Sequence, residues 1–324
     1  MERNRPQLVL AIPCYNEEEC LAITHDALKK KMASLVKQKL IGDSYKIVLV
    51  DDGSRDDTWK IISGLSKKDK HVIGLKLAHN RGHQNALLAG LEFASKHGDV
   101  VVSMDADLQD DINVIDDFIA EYCNGADIVY GVRSERKKDS FFKRHTAQAF
   151  YKIMRFMGVE TVYNHADYRL MSRRAIGELM RYDERNLYLR GIVPMIGFKT
   201  AEVKYGRNER VAGKSKYPLR KMLNLAWDGI TSFSVKPIRM MLALGFIIFF
   251  VSLAVMIYSL IMKIIGQAVD GWTFTICSIW LLGGLQMLML GLIGEYVGKT
   301  YIETKHRPRY VVEEVIGTDA EDKD

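Results

Sequence analysis

The chain predicts an α/β protein: a mostly parallel sheet with helices on both faces, followed by interfacial helices and a two-helix transmembrane hairpin. Three observations predict it. Short apolar runs alternate with longer segments of helical spacing, polar clusters follow three of those runs, and two uncharged stretches of membrane-spanning length lie near the C-terminus.

The strands are expected at Leu8–Ile12, Lys46–Val50, Val72–Leu77, Val100–Met104 and Ile128–Val132, each short and rich in Val, Ile and Leu. Helical spacing marks Glu17–Lys39, Asp57–Lys67, Gln84–Lys96 and Asn113–Tyr122. Ligands of such sheets bind outside the carboxyl ends of the strands. Pro13, Cys14, Tyr15, Asn16, Glu17 and Glu18 follow the first strand, Asp51, Asp52, Gly53 and Ser54 the second, and Asp105, Ala106 and Asp107 the fourth. Each cluster has a purely local reading: a turn at Asp51 and Asp52, a helix cap at Asp56, a helix start at Asp110 and Asp111. Three clusters converging on one crevice favour a ligand site. Carboxylates beside a phosphate-bearing ligand need an intervening cation, so Asp105 and Asp107 point to Mg2+ or Mn2+ bridging a pyrophosphate. Hard oxygen donors without neighbouring Cys or His argue against zinc.

The 48% hydrophobic content is unevenly spread. Met240–Met262 and Trp272–Gly294 carry no charge, and each matches the ~20 residues that a helix needs to cross ~30 Å of hydrocarbon. Arg220, Lys221, Lys236 and Arg239 precede the first span, and Lys299, Lys305, Arg307 and Arg309 follow the second, whereas the connection offers only Lys263 and Asp270. The positive-inside rule then keeps the large domain and both termini in the cytoplasm, at the plasma (inner) membrane. The run Leu8–Ile12, broken at once by Pro13, is too short for a signal peptide. The expected divisions are a cytoplasmic domain over 1–217, a juxtamembrane amphipathic helix over 218–238, the two spans within 239–296, and a cytoplasmic tail over 297–324, with Glu313–Asp324 disordered. Leu219, Met222, Leu223, Ala226 and Ile230 give the juxtamembrane helix its spacing, and Phe141–Phe156 is a second candidate for membrane contact. The net charge of +6 suits an anionic membrane surface better than nucleic acid. Cys14, Cys20, Cys123 and Cys277 lack metal-ligand spacing and are expected as free thiols. His79, His83, His145 and His165 also lack that spacing and are expected in surface or supporting roles. Gly283, Gly284, Gly291 and Gly294 permit close helix contacts in a homo-oligomer.

Pro13-Cys-Tyr-Asn-Glu, Asp51-Asp-Gly-Ser and Asp105-Ala-Asp-Leu-Gln, then Asp167-Tyr-Arg-Leu-Met-Ser-Arg173, Arg210-Val-Ala-Gly-Lys-Ser-Lys-Tyr217, the two spans and Gly294-Glu-Tyr-Val-Gly-Lys299, form an ordered set. It resembles the family-two glycosyltransferases of the GT-A fold, and among them the polyprenyl-phosphate glycosyltransferases related to dolichol-phosphate mannose synthase. The resemblance implies that Pro13, Tyr15, Asn16, Glu17, Asp51 and Asp52 hold the nucleoside, that Asp105, Ala106 and Asp107 form the nucleotide–metal motif, and that Gln109 lies beside the donor sugar. It makes Asp167, as base or as positioning group, and Arg169 the catalytic residues, and it gives Arg210, Lys214, Ser215 and Lys216 to phosphates of donor or lipid. Cys14 departs from the small residues usual at its place. Gly213-Lys214-Ser215 imitates the end of a P-loop, but Asn208 stands where that motif needs glycine.

The expected reaction is inverting transfer of a hexose from a nucleotide-sugar, UDP-glucose first by resemblance, to polyprenyl phosphate, undecaprenyl phosphate in a bacterium. UDP-N-acetylglucosamine and GDP-mannose are the alternative donors, and a non-catalytic membrane scaffold binding nucleotide-sugar is the alternative role. A processive polysaccharide synthase would carry a Gln-x-x-Arg-Trp motif and more spans, and a flippase would need more membrane surface than one hairpin.

Overall fold

The computed structural model describes residues 5–133, 165–185, 188–206, 231, 234–265 and 271–318. In chain order these form β1 (Leu8–Cys14), α1 (Leu21–Lys37), β2 (Lys46–Asp51), α2 (Thr58–Lys68), β3 (Val72–Leu77), α3 (His83–Ser95), β4 (Val100–Ser103), a 3-10 turn (Ile112–Val114), α4 (Ile115–Cys123), β5 (Ile128–Arg133) and β6 (His165–Ser172). They continue as α5 (Arg173–Met180), α6 (Leu189–Met195), β7 (Thr200–Tyr205), α7 (Lys236–Ile264), α8 (Trp272–Thr304) and β8 (Val312–Ile316).

Eight strands make one sheet in the order β7-β5-β6-β4-β1-β2-β3-β8. β4, β1, β2 and β3 run parallel, as do β5 and β7, whereas β6 is antiparallel to both its neighbours and β8 to β3. The expected α/β class is therefore present, as a mixed sheet. Central strands buried on both faces read as unbroken apolar runs. On β1, Leu8, Leu10 and Ile12 enter a core with Leu28 and Met32 of α1 and Phe118 and Ile119 of α4. Each such burial contributes about 1.5–3 kcal/mol. The opposite face carries α3, packed so closely that a Cβ at Gly90 would lie 2.9 Å from Val50.

Several elements were not expected. β6, β7, α5 and α6 complete the sheet and its second helical layer, and the supposedly disordered tail contains β8. The tail expectation is corrected over Glu313–Ile316: with Val312 these residues pair with β3, from Gly74 opposite Ile316 to Leu77 opposite Val312. Lys76 meets Glu313 at 3.2 Å on the same edge. Residues 319–324 lie outside the described residues, as do Phe141–Phe156 and all of the expected juxtamembrane helix up to Ile230.

The described residues fall into two compact units: the sheet with its helices, including the segment from Arg307 onward, and α7 with α8 up to His306. Both expected spans lie within helices long and apolar enough to cross a membrane, with their apolar side chains largely exposed. At the base of this hairpin the Tyr296 hydroxyl donates to the Ser234 carbonyl at 2.5 Å and Lys299 donates to the Thr231 hydroxyl. Between the helices lies an apolar groove of about 490 Å3 walled by Met241, Phe246, Phe249, Met289 and Ile293.

Candidate active site

The loops at the carboxyl ends of β1 and β2 are tied by side chains that accept from main-chain amides. Asn16, at positive φ, donates its amide to the Ser54 hydroxyl and accepts from the Arg55 amide at 2.9 Å through its side chain. The Glu17 amide donates to the Thr58 hydroxyl, and Glu18 accepts from the Asp57 amide. The Glu17 carboxylate accepts from the Cys20 thiol at 3.0 Å. Asp51 closes a turn by accepting from the Ser54 amide at 3.1 Å, while its other, buried carboxylate oxygen has no hydrogen-bond partner among the described residues. Gly53 has a positive φ, and a Cβ there would sit 2.7 Å from the Asn80 nitrogen, so the β2 turn rests on the loop after β3. A polar cavity of about 370 Å3 at this end is lined by Asn16, Glu17, Glu18, Glu19, Cys20, Arg55 and Asp56. Tyr15 stands half-exposed in the same loop.

Asp52 does something different from its neighbour. Its two carboxylate oxygens accept from the amides of Arg81 and Gly82, at 2.7 and 2.9 Å. Burial pushes this carboxyl up, and the two amides counter it. The residue expected to hold the nucleoside thus fixes the loop that starts α3, and α3 starts at His83.

After β4 the main chain turns at Asp105–Gln109. The Ala106 carbonyl accepts from the Thr24 hydroxyl at 2.6 Å, Leu108 takes a positive φ, and Asp107 accepts from the Gln109 amide at 3.1 Å. Gln109 is buried. Asp111 caps the 3-10 turn as expected, but Asp110 does not serve as a helix start: buried, it accepts from the Tyr205 hydroxyl at 2.5 Å and from Arg133 at 3.2 Å.

Antiparallel β6 brings the second half of the site to this end of the sheet. Ser103 pairs with Arg169, so carrying the register on by two residues sets Asp105 opposite Asp167. The Ser103 hydroxyl donates to the Asp167 carbonyl at 2.5 Å. Arg169, buried on its strand, donates to the Asp167 carboxylate at 2.6 Å, and Arg190 of α6 donates to both oxygens, at 3.3 and 3.0 Å. His83 lies between the two acids, its Nε2 3.7 Å from an oxygen of Asp105 and 3.7 Å from one of Asp167. Burial alone would raise the Asp167 carboxyl; Arg190, His83 and Arg169 outweigh it and hold this group well below the usual carboxylate range. Asp105 goes the other way. Partial burial, against the pull of His83 and with the push of Asp110, Asp167 and Asp107, raises it to about 6. A His83 imidazole flanked by two acids is raised in turn, although burial opposes it.

Asp105 and Asp107 offer hard carboxylate oxygens of the kind a divalent cation takes, and although His83 lies 3.7 Å from Asp105, the acids around it leave excess negative potential there. Among the described residues no third His, Cys, Asp or Glu completes a cage. Mg2+ and Mn2+ held through one or two carboxylates take their remaining oxygens from water and phosphates, so the pair fits.

Of the residues expected at the site, Pro13, Tyr15, Asn16, Glu17, Asp51, Asp52, Asp105, Ala106, Asp107, Gln109, Asp167 and Arg169 are described, all at or beside the carboxyl ends of β1, β2 and β4 or on the facing start of β6. Arg210, Lys214, Ser215 and Lys216 lie outside the described residues. Arg190 was not singled out, and His83 was expected only in a surface or supporting role. His83 carried a positional signal, being the residue after Gly82 just beyond the end of β3; Arg190 lay in no motif.

The chain belongs to glycosyl transferase family 2, whose model matches residues 9–180, and residues 236–300 match the model described as the GtrB C-terminal hairpin. It is 54% identical to "Uncharacterized glycosyltransferase YkoT" of Bacillus subtilis (strain 168), over 97% of this chain and 93% of that one. It is 39% identical to "Prophage bactoprenol glucosyl transferase homolog" of Escherichia coli (strain K12), over 95% and 99% of the two chains. The identity to "Bactoprenol glucosyl transferase" of Shigella phage SfV is also 39%, over 94% and 98%.

Proposed function

We propose that the protein transfers a hexose, glucose in the first instance, from a UDP-sugar to polyprenyl phosphate at a membrane, with inversion at the anomeric carbon. The observation that carries this reading is the opposition, across one strand end, of a carboxylate pair fit for a divalent cation and a carboxylate clamped by two guanidinium groups. Relatives whose names describe bactoprenol glucosyl transfer, aligned over almost their full length, support the acceptor and the sugar. The groove in the hairpin is apolar, as a prenyl chain requires.

In this reading a lipid-phosphate oxygen attacks the anomeric carbon, the bond from that carbon to the diphosphate breaks, and UDP leaves with the bonding electrons. A divalent ion held by Asp105 and Asp107 would supply charge neutralisation to the departing diphosphate. The second ionisation of a phosphate monoester lies near ~6, so the attacking oxygen is largely anionic at neutral pH and no strong base is required. Asp167 fits that economy, for a carboxyl held so low by two arginines is a poor proton acceptor. Its role is to orient Arg169 and Arg190 toward phosphate oxygens. The buried, unpartnered oxygen of Asp51 offers an acceptor for a base N–H or a ribose hydroxyl, and Tyr15 a face for stacking. Arg210, Lys214 and Lys216 supply further phosphate contacts from the segment before the hairpin. The catalytic unit and both termini face the cytoplasm, and copies associate through the hairpin.

The test is transfer of radiolabel from a panel of UDP- and GDP-sugars to undecaprenyl phosphate by the detergent-purified protein, with and without Mg2+ or Mn2+. Labelled lipid from UDP-glucose alone, and only with metal, is the expected result. Label from UDP-N-acetylglucosamine or GDP-mannose instead changes the donor; folded protein that labels nothing overturns the enzyme reading in favour of a scaffold.

A further inference from the structure

Arg309 stands five residues beyond the end of α8, in the segment that returns to the sheet as β8. Its guanidinium is largely buried and forks onto two main-chain carbonyls, that of Glu184 at 3.2 Å and that of Tyr182, while Asp183 lies at 3.6 Å. The next residue repeats the pattern on a different element, since the Tyr310 hydroxyl donates to Glu92 of α3. The Val311 carbonyl then accepts from Ala78 at 2.9 Å, and β8 begins.

The two elements gripped are the supports of α6. At its C-terminal end, the Met195 carbonyl accepts from the hydroxyl of Tyr182, whose own carbonyl Arg309 holds. At its start, the Leu189 amide donates to Gln84 of α3 at 2.8 Å. Between those ends Arg190 reaches Asp167, and α3 carries His83 to the same carboxylate. α6 is two turns long and contains Pro194, so it has little intrinsic hold on its own orientation.

Resting on the glycosyl-transfer reading above, we propose that Arg309 is a positioning residue for that reaction, fixing Tyr182 and thereby α6 so that Arg190 meets Asp167. Two carbonyls bound by one planar fork give a geometry that lysine cannot reproduce. Nothing in the reaction touches Arg309 itself, and its influence reaches the site through Tyr182 and α6.

The experiment compares Arg309→Met and Arg309→Lys with the unaltered full-length protein in detergent. Arg309→Met is expected to lower kcat for transfer to undecaprenyl phosphate about tenfold, with KM for the donor changed by less than about twofold, because a misplaced positioning group costs rate while the nucleotide loops stay intact. Arg309→Lys restores only part of that loss. Amide hydrogen exchange over residues 188–195 speeds up in both variants. Combined with Arg190→Lys, the loss in Arg309→Met stays close to that of Arg190→Lys alone, as expected of two residues acting through one contact. Unchanged kcat with unchanged exchange in the helix overturns the proposal. So does a loss that multiplies with that of Arg190→Lys, or one wholly accounted for by a smaller folded fraction in a thermal melt. If the unaltered protein transfers no sugar, the reaction reading fails, while the exchange measurement still decides whether Arg309 holds α6.

Discussion

The two halves of the site are built in opposite ways. On one side, the loops after β1, β2 and β4 are stitched, within and between loops, by bonds in which Asn16, Glu18, Asp51, Asp52 and Asp107 accept from main-chain amides. On the facing side, Asp167, Arg169, Arg190 and His83 come from three separate elements and meet through their charges. Residue types that look like ligand binders in contiguous motifs therefore serve largely as scaffold, and the dispersed cluster holds its charges poised with fewer main-chain ties. Asp52 joins the halves: it fixes Arg81 and Gly82, and the next residue is His83.

The sharpest way to break that comparison is to remove charge from the carboxylate pair. Asp107→Asn keeps an oxygen for the Gln109 amide, so the fold should persist while metal-dependent transfer falls by about 10³-fold. Turnover near the original rate would remove the metal assignment. Asp167→Asn comes next. It leaves Arg169 and Arg190 without their counter-charge, and kcat should fall about 10²-fold by the same factor across pH 6–9; a rate that recovers as pH rises would instead mark Asp167 as a base. Asp52→Ala strips two amides of their acceptor, so urea unfolding of the catalytic unit should show a loss of about 2 kcal/mol. If Asp52 acted only on the nucleoside, donor KM would rise with stability unchanged.

The smallest effect is one of pH. A carboxyl raised to about 6 carries a proton below that pH, and the proton competes with a cation. Stability runs in the same sense: ionising Asp105 costs the folded state as pH rises from its ordinary value toward about 6, and a bound cation relieves that cost. Affinity for Mn2+, read by the rise in melting temperature, should weaken about fivefold between pH 6 and pH 5 and change little between pH 7 and pH 8.

The sheet was legible wherever both faces of a strand are buried. β1 to β5 appear in the sequence as apolar runs, and the expected bounds differ from the observed ones by at most two residues. β7 and β8 escaped notice because polar and charged residues fill their exposed positions, Thr200, Glu202 and Lys204 in alternation in β7 and Glu313 beside Glu314 in β8. That composition is how a natural edge strand discourages unwanted pairing, and in β8 it reads as an acidic tail. β6 was visible only as the motif around Asp167 and Arg169. Its antiparallel direction, which delivers Asp167 to Asp105, is a fact of topology that no local pattern carries. Arg190 was illegible for the same reason, and His83 was read only as a surface or supporting residue: what brings both to the site is the meeting of α3, α6 and β6, not any spacing along the chain.

The position of β8 in the chain has a consequence for biogenesis. The residues that cover the open edge of β3 are synthesised only after α7 and α8. A nascent chain interrupted within the hairpin has its nucleotide loops but an uncovered strand edge, the kind of surface on which chains pair wrongly. Completion of the soluble sheet is thus timed to follow synthesis of the anchor, and a product lacking the second helix also lacks the strand that seals its enzyme.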